Sequence, residues 1–352
     1  MAIQSSNQNT NPTPITSSTA KEADIFENTL RPKALDEYIG QSRLKENLKV
    51  FLAAAKKRNE PLEHTLLYGP PGLGKTTMAS IIAHEMGGKL KVTSAPAIQK
   101  QGDLAAVLSN LKPGDVLFID EIHRMSSSVE EILYSAMEDY VLDIMIGKGP
   151  SARTMRLNIP QFTLIGATTK FAMLSSPLRD RFGHIFKLEF YSESEISQII
   201  HRSARILEYQ VTEEACKKLA KCARRTPRVA NRLLKRVRDF ADIDENTHNI
   251  IDLEITKKTM SALGIDELGL NRTDIDLLKT LIEKFKGGPV GLNTLSAATG
   301  EDSGTIEDVY EPFLIQLGML DRSPRGRIAT ENAYQHLGLD ISDLKKKQEA
   351  LF

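Results

Sequence analysis

The stretch Gly69-Pro70-Pro71-Gly72-Leu73-Gly74-Lys75-Thr76-Thr77 decides how this chain is read. It contains G-x-x-x-x-G-K-T, follows the apolar run Thr65–Tyr68 and opens the helix-patterned segment Thr76–Met86. Strand, glycine-rich loop and helix in that order are the context in which this motif binds phosphate. Gly72 and Gly74 allow the backbone to turn its N–H groups inward around phosphate oxygens. The helix beginning near Lys75 aims its positive dipole end at the same oxygens. Lys75 is then placed to reach the β- and γ-phosphates, and the Thr76 hydroxyl to ligate Mg2+.

Working outward, Val116-Leu117-Phe118-Ile119-Asp120-Glu121 predicts a buried strand with two carboxylates at its C-terminal end. Ligands of open α/β sheets bind beyond those ends. Asp120 there is suited to hold Mg2+, and Glu121 to polarise an attacking water. Two solvated acids after a strand are common in isolation; beside a phosphate loop they predict a nucleoside triphosphatase. The runs Leu90–Thr93, Phe162–Ile165 and Ile185–Leu188 alternate with helical patterns such as Val129–Tyr140. Residues 26–190 are therefore expected to form an α/β domain, a parallel sheet with helices on both faces.

Residues 191–263 read as helical throughout, with Ser192 and Glu195 spaced as a capping box. Residues 264–340 read as helices over Arg272–Lys286, Leu292–Thr299 and Thr305–Leu317, the last capped by Ser303. A hairpin over Gly318–Thr330 follows, with Pro324 and Gly326 at its tip, so the unit is expected to be a winged helix.

The 352-residue length fits two or three domains. Lys and Arg number 46 against 46 Asp and Glu, so any polyanion site has to be a local patch. Cys216 and Cys222 have neither metal-ligand nor disulfide-framework spacing and are expected to be reduced thiols of a cytoplasmic protein. No apolar run reaches the roughly 18 residues of a membrane span. Fifteen of the first twenty residues are Ser, Thr, Asn, Gln or Pro, without the basic and apolar regions of a signal peptide. Residues 1–25 are expected to be a disordered polar tail, and 341–352 a short C-terminal tail.

Further strings follow in order: Phe162-Thr163-Leu164-Ile165-Gly166-Ala167-Thr168-Thr169, then Pro177-Leu178-Arg179-Asp180-Arg181-Phe182-Gly183, then Arg225-Thr226-Pro227-Arg228. With the two motifs above they resemble the AAA+ ATPases: Walker A, Walker B, sensor 1, arginine finger and sensor 2. Leu30-Arg31-Pro32-Lys33, Asp120-Glu121-Ile122-His123-Arg124, Ala136-Met137-Glu138-Asp139-Tyr140, Leu142-Asp143-Ile144-Met145-Ile146-Gly147 and Gly287-Gly288-Pro289-Val290-Gly291-Leu292 are similar to the RuvB family of bacterial Holliday-junction branch-migration motors. The resemblance covers residues 26 to about 338. It implies a AAA+ P-loop domain, a helical lid and a C-terminal winged helix, with ATP and Mg2+ as cofactors. It implies Thr168, with Thr169 beside it, as sensor 1, Arg181 as a finger inserted into a neighbouring copy's site, and Arg228 as sensor 2. Gly72, Leu73, Gly74, Lys75, Thr76, Thr77, Glu138, Asp139 and Tyr140 are implied nucleotide contacts. Leu30, Arg31 and Tyr191 fall where the family closes over the adenine; for Leu30, plain packing is an equally good reading. Arg225 departs from the pattern, which more often has Gly there, and is tolerable if its φ is negative.

Residues 141–159 flank a Gly/Pro turn and predict a β-hairpin. In the resembled family this insertion docks onto a RuvA-like junction-binding protein, which Ile144, Met145 and Ile146 suit; an ordinary packed hairpin is the alternative. From Cys216 to Phe240 there are ten Lys or Arg and one acid, either a solvated face or a DNA-facing stripe. Arg322, Arg325 and Arg327 crowd the wing with only Asp321 as a nearby counter-charge in sequence, and are expected to meet the DNA backbone. Three functions compete at this point. One is a hexameric motor that drives duplex DNA and four-way junctions together with RuvA-like and RuvC-like partners. The second is an ATP-dependent loader or switch that does not translocate. The third, a winged-helix regulator with a vestigial ATPase, is disfavoured by Glu121 and Arg181.

Overall fold

The computed structural model describes residues 29–146, 153–244 and 249–340. The two expected tails and the hairpin tip at 147–152 lie outside the described residues.

Five strands form one parallel sheet: β1 (Thr65–Tyr68), β2 (Leu90–Ser94), β3 (Val116–Asp120), β6 (Thr163–Thr168) and β7 (His184–Lys187), in the order β2-β3-β6-β1-β7. Its central strands are buried on both faces, as a sheet covered by helices on both sides requires. Alternate residues feed opposite cores: Leu67, Val116, Phe118 and Ile165 join one, Leu66, Leu117, Ile119 and Leu164 the other. The register sets Tyr68 beside Thr168 and Ile119 beside Gly166. The C-terminal ends of β1, β6 and β3 therefore meet at one edge, the place where the phosphate loop and Asp120 leave the sheet.

The hairpin is present as β4 (Val141–Ile146) paired antiparallel with β5 (Arg153–Asn158), Asp143 facing and pairing with Arg156 at 2.8 Å.

The lid departs from the all-helical expectation at one place: β8 (Gln210–Val211) and β9 (Ile250–Ile251) make a two-residue parallel pair, too short to leave a periodic signal. Its helices Glu193–Ile206, Glu213–Cys222 and Pro227–Ile243 bury Ile196, Ile200, Leu219, Leu233, Leu234 and Val237 in the same core as the phosphate-loop helix Lys75–Met86. The expected capping box is present, Ser192 Oγ accepting from Glu195 N and Glu195 Oε2 accepting from Ser192 N. The basic run is partly neutralised, Arg236 and Arg238 by Asp239 of the run itself, and Lys218 and Arg224 by Glu267 and Asp274 of the C-terminal unit.

The C-terminal unit, here called the head, has a core of its own around Leu277, Leu281, Leu295, Ile306, Leu314 and Tyr334. Helix Arg272–Lys279 runs on as a π turn to Lys284, helix Leu292–Thr299 follows, and the third helix is a composite ending in Glu311–Gln316. Asp302, not Ser303, caps that third helix, its carboxylate accepting from Thr305 N at 3.1 Å. A carboxylate is the stronger acceptor for an exposed helix N–H. Strands β10 (Leu320–Ser323) and β11 (Gly326–Ala329) form the wing. Val290 and Arg327 exchange backbone bonds beside it, and a Cβ on Gly326 would sit 2.2 Å from the Val290 carbonyl oxygen.

Candidate active site

A cleft of about 220 Å3 opens at the sheet edge. It is lined by Gly72, Gly74, Lys75, Thr76 and Thr77 of the loop, Asp120 and Glu121 after β3, Thr169 after β6, and Arg31, Arg228 and Asn231. Gly72 and Gly74 have φ of 81° and 94°. A Cβ on Gly74 would lie 2.8 Å from the Tyr38 hydroxyl, so both the left-handed backbone and the close approach require glycine. Lys75 Nζ donates to the carbonyls of Gly69 and Pro70 at 2.8 and 2.9 Å. Burial lowers its pKa to about 8; Asp120 opposes that shift and Arg228 adds to it.

Glu121 adopts φ 49° and starts the turn Ile122–Arg124, which turns its carboxylate away from the strand; Arg124 pairs with it at 2.9 Å. Thr76 and Asp120 supply a hydroxyl and a carboxylate to the same cleft. No group of three metal-ligating His, Cys, Asp or Glu exists among the described residues. That donor set fits Mg2+, which takes one or two protein oxygens and shares its remaining positions between phosphate and water.

A recess of about 70 Å3 adjoins the cleft, lined by Leu30, Arg31, Tyr38, Ile39, Tyr191 and Asn231 among others. Tyr191 and Tyr38 are buried; the Tyr38 hydroxyl donates to the Leu73 carbonyl at 3.2 Å, and the Tyr191 hydroxyl donates to the Tyr38 oxygen at 2.9 Å with the same carbonyl 3.2 Å away. Burial pushes the Tyr191 pKa up to about 12, which keeps it a hydroxyl donor. The Leu73 side chain is itself buried, so this residue faces the recess through its backbone. Leu30 lines the recess and also offers its carbonyl to Arg202 at 2.7 Å. Tyr38, Ile39 and Asn231 carry no motif of their own, although Asn231 sits one helical turn after Arg228, a spacing that places both on one face.

Three expectations need correction. Thr168 is 1% exposed, and its hydroxyl is bonded to His123 Nδ1 at 2.9 Å while Thr169 lines the cleft. Neighbouring side chains there turn to opposite sides, so of the two it is Thr169 that faces the cleft. Arg225 has φ 53° and Arg224 φ 52°, so the departure from Gly is carried in the left-handed region and at a cost. The wing arginines are not an unpaired trio: Arg322 and Arg327 both reach the fully buried Glu311, and Arg322 also reaches Glu307 at 3.2 Å. Those acids lie on the preceding helix, out of sight of the local sequence. Arg322 and Arg325 are both exposed, and Arg325 at the tip takes no part in these pairs.

Arg181 does not line the cleft. It pairs with Glu138 at 3.2 Å, donates to Pro177 O at 2.8 Å, and lies 4.3 Å over the Tyr134 ring. Glu138, Asp139 and Tyr140 close the helix that ends beside it, and also lie outside the cleft.

Three family profiles match the chain over residues 30–188, 191–266 and 267–338: in that order, the Holliday junction DNA helicase RuvB P-loop domain, the RuvB AAA lid domain and the RuvB C-terminal winged helix domain. The Holliday junction branch migration complex subunit RuvB of Dehalococcoides mccartyi is 58% identical over 327 residues, 93% of each chain. That of Chloroflexus aggregans is 56% identical over 317 residues, 90% of each. The solved structure of the Thermotoga maritima RuvB Holliday junction branch migration motor superposes with a TM-score of 0.80 at 50% identity, covering 89% of this chain and 99% of that one. The chain belongs to the RuvB family of AAA+ ATPases.

Proposed function

We propose that this protein is an ATP-driven motor that moves duplex DNA to drive branch migration of Holliday junctions, working as a hexameric ring in the cytoplasm. The loop N–H groups, Lys75 and Arg228 hold the triphosphate, and the recess between Leu30, Tyr38 and Tyr191 takes the adenine. Thr76 and Asp120 would hold Mg2+, which would supply charge neutralisation to the bound triphosphate. Glu121 accepts a proton from the attacking water, and Thr169 reports the γ-phosphate to β6.

The observation that carries the ring is the position of Arg181, which sits with Glu138 on a face that does not line its own chain's cleft. A finger so placed serves a neighbouring copy, with Glu138, Asp139 and Tyr140 on the same side of that joint. Such a finger is worth roughly a thousandfold in rate. The exposed wing tip with Arg325 meets the DNA backbone, and Arg322 and Arg327 brace it through Glu311. The hairpin 141–159 docks a RuvA-like junction-binding protein through Ile144, Met145 and Ile146, and a RuvC-like resolvase joins the same complex.

The test is a branch-migration assay on a synthetic four-way junction, with and without that partner, alongside subunit mixing. Lys75→Ala and Arg181→Ala chains are each expected to be inactive alone and to regain ATP turnover when mixed. Verified co-assembly without recovery would remove Arg181 from its role in trans.

A further inference from the structure

The turn at Arg224-Arg225 does not line the cleft, yet its backbone is held in the left-handed region. Two consecutive non-glycine residues hold φ of 52° and 53°. Such strain persists only where the surroundings over-determine it. Here the surroundings belong to two domains. On the head side, Arg224 is ion-paired with Asp274, which is fully buried, and its guanidinium lies 4.8 Å over the Phe313 ring. Asp274 Oδ2 also accepts from Asn271 N at 2.8 Å, while Oδ1 is buried with no hydrogen-bond partner. Burial raises the pKa of Asp274, and Arg224 and the Asn271 N–H oppose the shift.

On the nucleotide side, the Arg225 carbonyl accepts from Tyr191 N at 3.1 Å. Thr226 and Pro227 then start the helix that carries Arg228, whose N–H points at the Gly72 carbonyl at 3.4 Å. Phe313 lies two residues beyond Glu311, the acid that holds Arg322 and Arg327. The helix Glu311–Gln316 thus holds the wing arginines through Glu311 and carries the Phe313 ring under Arg224, and the strained turn links Arg224 to Arg228 and the phosphate loop.

We propose that Arg224 is a positioning residue that ties Arg228 to the head, so that engagement of DNA by the wing changes ATP turnover through the Arg224–Asp274 pair. The proposal rests on the reading that Arg228 faces the nucleotide and that the wing meets DNA. Proximity alone does not establish coupling, so the test measures coupling directly.

The variants are Arg224→Met, which keeps a stem over Phe313 and removes the charge, and Arg224→Met combined with Asp274→Asn, which leaves no unpaired buried carboxylate. Four quantities are read on the full chain: thermal midpoint, duplex DNA affinity, ATP KM, and the ratio of kcat with duplex DNA to kcat without it. The single variant leaves a buried charge unpaired and is expected to melt lower, and the double to recover much of that loss. In the double variant DNA affinity and ATP KM are expected within about twofold of the parent, while the DNA-stimulation ratio falls toward one. A folded double variant with a parental stimulation ratio would overturn the proposal. So would a loss confined to ATP KM, which would make the turn a plain support of the nucleotide site. If the parent chain itself shows no stimulation by DNA, the motor reading fails first, a result distinct from either.

Discussion

Lys75 is the group whose protonation the fold perturbs most usefully. Burial takes its pKa from 10.5 to about 8, so between those values the unfolded chain binds more protons than the folded one. Stability on this account rises with pH across that window, and the charged lysine costs the nucleotide-free fold about 3 kcal/mol at neutral pH. A triphosphate laid in the loop reverses the balance, because it sets negative oxygens where Lys75 now has the Gly69 and Pro70 carbonyls. Binding is therefore expected to take up about half a proton per site at pH 8 and about one tenth at pH 7. Above pH 8, ATP affinity is expected to fall by up to tenfold per pH unit until the pKa of Lys75 in the nucleotide complex is approached. Calorimetric titration with ATP at pH 8 and 8.5, in two buffers of unlike ionisation enthalpy, reads the uptake directly. Lys75→Arg, which does not titrate there, is the control and is expected to show none. Equal uptake in parent and Lys75→Arg, or no uptake in the parent at pH 8.5, would refute the reasoning.

Thr169→Val is expected to lower kcat about tenfold or more while ATP affinity stays near the parent, read by single-turnover hydrolysis beside equilibrium titration. Thr168→Val is expected instead to cost about 1 kcal/mol of stability through the lost His123 bond, with a smaller effect on rate; the reverse pattern would return the sensor role to Thr168. Arg225→Gly removes a left-handed penalty of about 1–2 kcal/mol and restores unfolded-state freedom worth about half of that, so denaturant unfolding is expected to show a net gain of about 0.5–1 kcal/mol. A loss of stability would mean that the Arg225 side chain supplies more than its backbone costs. Arg325→Ala is expected to make the slope of log DNA affinity against log salt shallower by about one unit. Adding Arg322→Ala and Arg327→Ala is expected to remove less than two further units and to lower the melting temperature, since it strips a buried Glu311 of both partners.

The sheet, its order of motifs and the phosphate loop were legible because each rests on local signals: apolar runs of strand length, glycines at fixed offsets and carboxylates at a strand end. The wing hairpin was legible for the same reason, Pro324 and Gly326 marking its tip. What escaped is what the chain decides at a distance. Glu311 precedes Arg322 and Arg327 by 11 and 16 residues and meets them only once the wing folds back. Tyr38 and Tyr191 are 153 residues apart and share one hydrogen bond beneath the loop. The choice between Thr168, the last residue of β6, and Thr169, the first beyond it, turns on which of them faces the cleft, and a run buried on both faces gives no sequence cue to that. Arg225 misled for another reason: the left-handed turn is set by Tyr191 on one side and, through Arg224, by the head on the other, and that outweighs the preference for glycine.

The distribution of the cores shows where a nucleotide-driven movement has to be converted. Lid and P-loop domain share one continuous hydrophobic cluster that includes Met78, Ile82, Tyr191, Ile200 and Leu234. Separating them would expose that surface at a cost of about 25 cal/mol for each Å2 of apolar area, so the lid moves with the loop it covers. The head keeps its own core and meets the rest through polar joints, Lys170 with Asp308 at 3.1 Å and Arg224 with Asp274. Polar joints of this kind are the ones across which domains move. Both originate one step from the nucleotide: Lys170 directly follows Thr169, and Arg224 begins the turn that leads to Arg228. A motor that reads the γ-phosphate at the cleft and holds DNA with the wing would pass its stroke through polar joints of this kind, these two pairs together with Lys218 and Glu267.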